Sequence, residues 1–325
     1  MILSFFLLIV GFFVLIKGAD LLVTGASSLA KRYNVPELAI GLTIVAFGTS
    51  APEMVVNGVA SYEGHTDVVL GNVVGSNIFN TFFILGIAGV VYPLSVQKST
   101  VFKEIPYSLF GGLLILFFAN DVLLNLGDQN IISVVEGVIL FVFFLLFLVY
   151  VFFSMKKGQD SSGDEPIKVI AMPKTILFMI LGLIGLTIGG KLVVSNAIDI
   201  ARYLQVSEQL IGLTIMAAGT SLPELATSVV AATQKKSDLA VGNIVGSNIF
   251  NMFFVLSISS MINPIPYPTI FNVDMITFMA GTVILFIAMF TGEKKILDRW
   301  EALILLMFFV FYNMYLVYRD HLIGA

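Results

Sequence analysis

Long apolar runs separated by short polar breaks dominate this chain. A hydrocarbon core of about 30 Å needs roughly 20 apolar residues of helix to cross it. Ten segments reach that length, near residues 2–30, 37–61, 68–92, 104–120, 131–154, 174–202, 208–233, 239–262, 270–291 and 301–318. The one clearly polar stretch, Lys156-Lys157-Gly158-Gln159-Asp160-Ser161-Ser162-Gly163-Asp164-Glu165-Pro166, has the Gly, Ser and charge content of a solvated linker. It divides the chain into a first transmembrane repeat, 1–154, a linker, 155–173, and a second repeat, 174–325. The predicted fold is an all-α integral membrane protein of ten transmembrane helices.

One unit occurs twice within this pattern. Residues 41–85 read GLTIVAFGTSAPEMVVNGVASYEGHTDVVLGNVVGSNIFNTFFIL, and residues 212–256 read GLTIMAAGTSLPELATSVVAATQKKSDLAVGNIVGSNIFNMFFVL. They align without a gap at an offset of 171, and 25 of the 45 positions are identical. Shared hydrophobicity does not produce such agreement, which is densest where the residues suit lipid least; it marks duplication of a unit. Each half holds five helices, an odd number, so the second enters the membrane from the opposite side. The repeat is therefore inverted, about an axis in the membrane plane, and transporters with this plan place their sites at the midplane between repeats.

Composition and charge narrow the class. A chain of 325 residues that is 58% hydrophobic and 12% charged cannot hide its apolar surface in one water-soluble globule. Its net charge of -4 is thinly spread, with no basic stripe to hold a phosphate backbone, so nucleic acid is not an expected partner. Without cysteine, disulfides and thiolate metal sites are excluded. The start, Met1-Ile2-Leu3, lacks the charged segment of a secretory signal, and the first helix is expected to be retained. Basic residues collect in alternate loops: Lys31, Arg32, Lys98, Lys103, Lys156, Lys157, Lys168, Lys174, Lys235, Lys236, Lys294, Lys295 and Arg299 on one side, only Arg202 and Arg319 on the other. By the positive-inside rule both termini face outward and the linker faces the cytoplasm of a cell (inner) membrane. Trp300, Tyr92, Tyr107 and Tyr318 near helix ends read as interface anchors.

The candidate chemistry lies in the duplicated unit. Glu53 and Glu224 fall near the middle of helices 2 and 7, where a carboxylate costs about 2.5–3.5 kcal/mol on insertion scales. Pro52 and Pro223 precede them, removing the N–H that would reach Gly48 and Gly219. Broken backbone at that depth is tolerated only where it is packed in protein or lines a cavity. Thr49 and Ser50, and likewise Thr220 and Ser221, supply oxygens within about one turn of each glutamate. In helices 3 and 8, Ser76 with Asn80 and Ser247 with Asn251 are four apart and share a face, while Gly75 and Gly246 let another backbone approach. Carboxylates, hydroxyls, amides and carbonyls without His or Cys favour calcium, sodium or magnesium over zinc or copper, and a flexible oxygen cage suits calcium better than magnesium. Asn77 and Asn248 read as interhelical glue, and Lys17 and Lys191 are the partners a merely structural glutamate would use.

GLTIVAFGTSAPE with GNVVGSNIFN, and the second copy, resembles the paired alpha-repeats of the calcium/cation antiporter superfamily, in its prokaryotic sodium/calcium exchanger branch. The resemblance implies Glu53 and Glu224 as central carboxylate ligands, with Thr49, Ser50, Thr220, Ser221, Ser76, Ser247 and the carbonyls of Ala46 and Ala217 completing the sodium and calcium sites, and Asn80 and Asn251 flanking them. Several exchangers of that family carry an aspartate at one of these flanks; here both are Asn. It also implies that helices 1 and 6, in which Gly11 and Gly18 correspond to Gly182 and Gly189 at the same offset, slide across the site. The expected activity is Ca2+/Na+ exchange by alternating access, with Ca2+ and Na+ as transported ions, no cofactor, membrane lipid as partner and a monomeric chain. A cation/proton antiporter using the same glutamates ranks second, although that branch has a repeat motif other than GTSxPE. A passive channel ranks lower, since no carbonyl-lined filter repeats around an axis. An enzyme is not expected, because there is no HExxH, no GxSxG and no midplane histidine.

Overall fold

Each predicted span becomes a helix in the computed structural model, which describes residues 2–124, 127–155, 169–205, 217–292 and 295–323. The first repeat holds α1 (Ile2–Tyr33), α2 (Glu37–Thr49 and Ala51–Tyr62), α3 (Thr66–Val91), α4 (Thr100–Phe118) and α5 (Val134–Met155). The second holds α6 (Met172–Tyr203), α7 (Ala217–Gly219 and Leu222–Thr233), α8 (Ser237–Ile262), α9 (Phe271–Ala288) and α10 (Arg299–Ile323). Among the described residues eight helices are long and apolar enough to cross a membrane alone, and the two pieces of α2 make a ninth span. The tenth is α7; the first part of its predicted span, 208–216, lies outside the described residues, as does most of the predicted linker, 156–168.

The chain is an all-α membrane protein of two inverted repeats, and the inversion is visible in how the halves join. Strand β1 (Leu94–Ser95) pairs with β4 (Ile296–Leu297), and β2 (Ile131–Ile132) pairs with β3 (Ile265–Pro266), both antiparallel. Each ladder takes one strand from each half, and β3 is the counterpart of β1 at the offset of 171, so the same contact is made twice. The helices that follow β2 and β4 open alike: the Ser133 N–H donates to Glu136 Oε2 at 2.6 Å and the Asp298 N–H to Glu301 Oε2 at 2.8 Å. In both cases a carboxylate at the third helical position takes up an N–H that the helix leaves unpaired.

α3 and α8 are the most buried spans and form the centre, while α5, α6 and α10 present rows of exposed Leu, Val and Phe to the surroundings. α1 and α6 run antiparallel in close contact, because glycines remove the side chains that would separate them. A Cβ at Gly18 would lie 2.7 Å from the Leu186 nitrogen, and one at Gly182 would lie 2.7 Å from the Leu22 nitrogen. Gly11 faces Leu192 and Val193 in the same interface, and Gly189 faces Leu15. Packing of this kind, rather than a hydrophobic effect, is what joins helices in lipid. Tyr107 is half-buried and donates its hydroxyl to the Phe143 carbonyl at 2.7 Å, bracing α4 on α5.

Candidate functional site

The two duplicated segments meet at the centre of the molecule. α2 bends by 47° between its pieces, where Ser50 leaves helical geometry at φ -85°, ψ 6° and Pro52 opens the second piece. α7 repeats the break at Ser221, φ -90°, ψ 7°, with Pro223 in the equivalent place. The ladder restarts when the N–H of Met54 reaches the Ser50 carbonyl and that of Leu225 the Ser221 carbonyl. Just past each break, in the first turn of the second piece, stands a glutamate, Glu53 or Glu224, each 1% exposed.

Every glutamate is served by the other repeat. Ser50 donates to Glu224 Oε1 at 2.7 Å, and Ser221 donates to Glu53 Oε1 at 3.3 Å. Ser50 also lies 2.9 Å from the Ser247 hydroxyl, and Ser221 lies 3.1 Å from that of Ser76; Ser247 donates to Glu224 Oε1 at 3.4 Å. Thr49 and Thr220 are turned the same way, donating to Asn243 Oδ1 at 3.1 Å and Asn72 Oδ1 at 3.2 Å. Because a hydroxyl that donates its proton presents its lone pairs elsewhere, these bonds leave the threonine oxygens as acceptors. Asn80 and Asn251 flank this arrangement, donating to Asn248 Oδ1 at 3.1 Å and Asn77 Oδ1 at 3.3 Å. Thus Asn77 and Asn248 are the glue expected of them, and Thr81 accepts from Asn248 at 2.9 Å.

Four oxygens of the predicted site residues have no partner among the described residues. Glu53 Oε2, Glu224 Oε2, Asn80 Oδ1 and Asn251 Oδ1 are buried and receive no hydrogen bond. All four are acceptors and form two repeat-related pairs. A buried polar group left unpaired costs about 1–3 kcal/mol, more when charged, so this set fits a cation ligand and does not fit a protein donor. Lys17 and Lys191 do not serve the glutamates: both are exposed, on α1 and α6. Nor do three or more His, Cys, Asp or Glu cluster together among the described residues, which keeps the ligand set at two carboxylates plus neutral oxygens.

The predicted residues thus come together at the two breaks. The Ala46 carbonyl accepts the Ser50 N–H at 2.9 Å and lies 3.3 Å from the Thr49 hydroxyl oxygen; Ala217 opens the short piece Ala217–Gly219. The residue that pattern reading missed is Asn243. It accepts from Thr49 and donates to the Ser228 hydroxyl at 2.9 Å and the Glu224 carbonyl at 3.4 Å, tying α8 to both broken helices. Its repeat mate Asn72 accepts from Thr220. Both belong to the identical Gly-Asn of GNVVGSN and GNIVGSN, a signal present in the sequence.

A family model described as "Sodium/calcium exchanger protein" matches residues 3–153 and 174–318. The chain is 36% identical over 305 residues to the putative antiporter CaxA of Alkalimonas amylolytica, covering 90% of this chain and 92% of that protein. It is 32% identical over 325 residues to the sodium/calcium exchanger MaX1 of Methanosarcina acetivorans, again covering 90% and 92%. Its fold matches a structure of the sodium-calcium exchanger NCX_Mj soaked with Na+ and Ca2+, at a TM-score of 0.79 and 30% identity over 96% of this chain and 97% of that one. With the duplicated motif, the inverted architecture and these matches in hand, the chain belongs to the sodium/calcium exchanger family, whose members are membrane transporters rather than enzymes.

Proposed function

We propose that this protein exchanges Ca2+ for Na+ by alternating access at a midplane site formed by Glu53, Glu224 and the oxygens around them. The observation that carries this reading is the set of four partnerless buried oxygens, Glu53 Oε2, Glu224 Oε2, Asn80 Oδ1 and Asn251 Oδ1. An all-oxygen set with two carboxylates matches hard cations of flexible coordination. Ionised, the glutamates contribute a charge of -2, which one calcium or two sodium ions neutralise and a third sodium would overshoot. An empty dianion held away from water is costly, so the unloaded carrier resists return, and calcium movement is coupled to sodium counterflow. The ions are substrates, and the mechanism calls on no cofactor.

Two kinds of relative support the choice of ions: MaX1 is named a sodium/calcium exchanger, and NCX_Mj is a sodium-calcium exchanger whose structure was obtained after soaking with both ions. In this reading residues 1–154 and 174–325 are the two moving repeats, the linker 155–173 is cytoplasmic and both termini are extracytoplasmic, a placement the distribution of Lys and Arg supports. α1 and α6 slide as a pair over the site, on their glycine contacts.

Radioactive calcium uptake into sodium-loaded proteoliposomes diluted into sodium-free buffer tests the proposal. Uptake that needs internal sodium and collapses in Glu53→Gln and Glu224→Gln is the expected result. Uptake that follows an imposed pH gradient and ignores sodium would reassign the glutamates as proton carriers, the second reading, which the name "putative antiporter" of CaxA leaves open. Flux of either ion with no counter-ion on the far side would overturn coupling and turn the reading to a passive channel.

A further inference from the structure

The two repeats are not in the same arrangement. α1 packs along the second piece of α7, residues 222–233, whereas among the described residues α6 makes no comparable contact with the second piece of α2, residues 51–62. Exposure follows the same division. Val55 and Val56 are 59% and 41% exposed, while their counterparts at the offset of 171, Ala226 and Thr227, are 9% and 0% exposed. Where α1 lies on α7, a side-chain bond closes the contact: the Gln234 amide donates to Asp20 Oδ1 at 2.8 Å. Asp20 is on α1, and Gln234 is the residue that caps the C-terminal end of Leu222–Thr233.

The offset that relates the repeats carries Asp20 to Lys191 and Gln234 to Glu63. Lys191 is on α6, and Glu63 caps the C-terminal end of Ala51–Tyr62 with nearly the backbone geometry of Gln234, φ -80°, ψ -5° against φ -85°, ψ 8°. Both are exposed in this arrangement. We propose that Lys191 and Glu63 form an ion pair that latches α6 onto α2 in the opposite arrangement, as Asp20 and Gln234 latch α1 onto α7 in this one. The inference rests on the alternating-access reading, in which the two repeats exchange conformations, and adds to it a contact that forms in only one of the two states.

The latches differ in chemistry. Asp20 takes one bond from a neutral amide, whereas Lys191 and Glu63 carry opposite charges. An ion pair at the rim of the membrane is screened by salt over about 8 Å at physiological ionic strength, and a neutral amide donor much less so. High salt therefore shifts the balance toward the arrangement held by Asp20 and Gln234.

Cross-linking tests this in the 325-residue chain, which contains no cysteine. The double variants Asp20→Cys with Gln234→Cys and Glu63→Cys with Lys191→Cys are reconstituted in proteoliposomes and oxidised. Both pairs are expected to form disulfides, each arresting calcium exchange until reduced. Lys191→Glu or Glu63→Lys alone is expected to slow exchange about two- to fivefold, in line with a partly exposed ion pair, and the double swap to restore it. The proposal is overturned if the 20/234 pair cross-links and the 63/191 pair does not, if neither does, or if the double swap is no faster than the single variants. If both pairs cross-link in a protein whose calcium uptake ignores sodium, the ion assignment fails and the latch stands.

Discussion

Ser50 of one repeat donates to Glu224 of the other at 2.7 Å, and its counterpart Ser221 donates to Glu53 at 3.3 Å. The carboxylates are thus held by bonds that cross between repeats, and any relative motion of the halves would move these groups against one another. Each serine stands at the break in its own helix, so the proline that disrupts the backbone also releases the hydroxyl that reaches across. One carboxylate oxygen of each glutamate is held in this way, and the other receives no hydrogen bond from the described residues.

Glu53→Gln and Glu224→Gln preserve shape and remove one charge each. Each is expected to lower sodium-dependent calcium uptake by at least about tenfold, the equivalent of 1.4 kcal/mol. Stability gives an independent reading. A bound ion at a hundred times its Kd adds about 2.7 kcal/mol, so calcium should raise the Tm of the unsubstituted protein above its value in chelator. A glutamine variant that keeps the full calcium-dependent rise in Tm would remove that glutamate from the ligand set.

Asn80→Asp tests the flanking positions. Asn80 donates its amide to Asn248 Oδ1, and an aspartate there would set a second acceptor against that oxygen. Without an ion this costs about 1–3 kcal/mol, as for other buried groups left unpaired; with calcium the added charge lies beside the cation. The expected outcome is a lower Tm in chelator and a wider gap between chelator and calcium, with the same for Asn251→Asp. An unchanged gap would place these amides away from the ion.

What the sequence reveals of this architecture follows how local each signal is. Proline beside glutamate inside an apolar run is a contradiction within a few residues, and it marks both breaks and both carboxylates. The repeat offset then pairs Ser76 with Ser247 and Asn80 with Asn251 before any contact is seen. The hub role of Asn243 is hidden, because it depends on α2, α7 and α8 meeting at one point. The two-residue ladders carry too little pattern to be read, and the pairing of Arg319 with Asp274 spans 45 positions. That α1 rather than α6 covers the neighbouring repeat is not encoded locally, since it depends on contacts between distant helices.

Arg319 and Asp274 join α10 to α9. The guanidinium donates to both carboxylate oxygens at 2.9 and 3.0 Å, and the Tyr312 hydroxyl donates to Oδ1 at 3.0 Å. The Asp274 side chain is 4% exposed and that of Arg319 is 22% exposed. Arg319→Ala strands a buried carboxylate, and breaking a fully buried pair costs about 3–5 kcal/mol; partial exposure of the arginine puts this case at or below the lower end. Adding Asp274→Asn removes the stranded charge and should recover part of the loss. The check is Tm in detergent for the single and double variants, and a double variant less stable than Arg319→Ala would contradict the account.

The α1–α6 contact makes the last prediction, because it has no room to spare. A Cβ added at Gly18 would sit 2.7 Å from the Leu186 nitrogen and 2.9 Å from the Gly182 carbonyl oxygen, and one at Gly182 would meet the Leu22 nitrogen at 2.7 Å. The obstructing atoms are backbone, so no side-chain rotation relieves the clash. Overpacking of this kind costs about 1–3 kcal/mol, and here the cost must appear as separation of the two helices. Gly18→Ala and Gly182→Ala are each expected to lower Tm and slow calcium exchange. Combining them should cost less than the sum of the two, since the first already opens the gap that the second needs. Additive losses would mean that the helices do not separate as a unit, and wild-type stability in both single variants would mean that the backbones are not in contact.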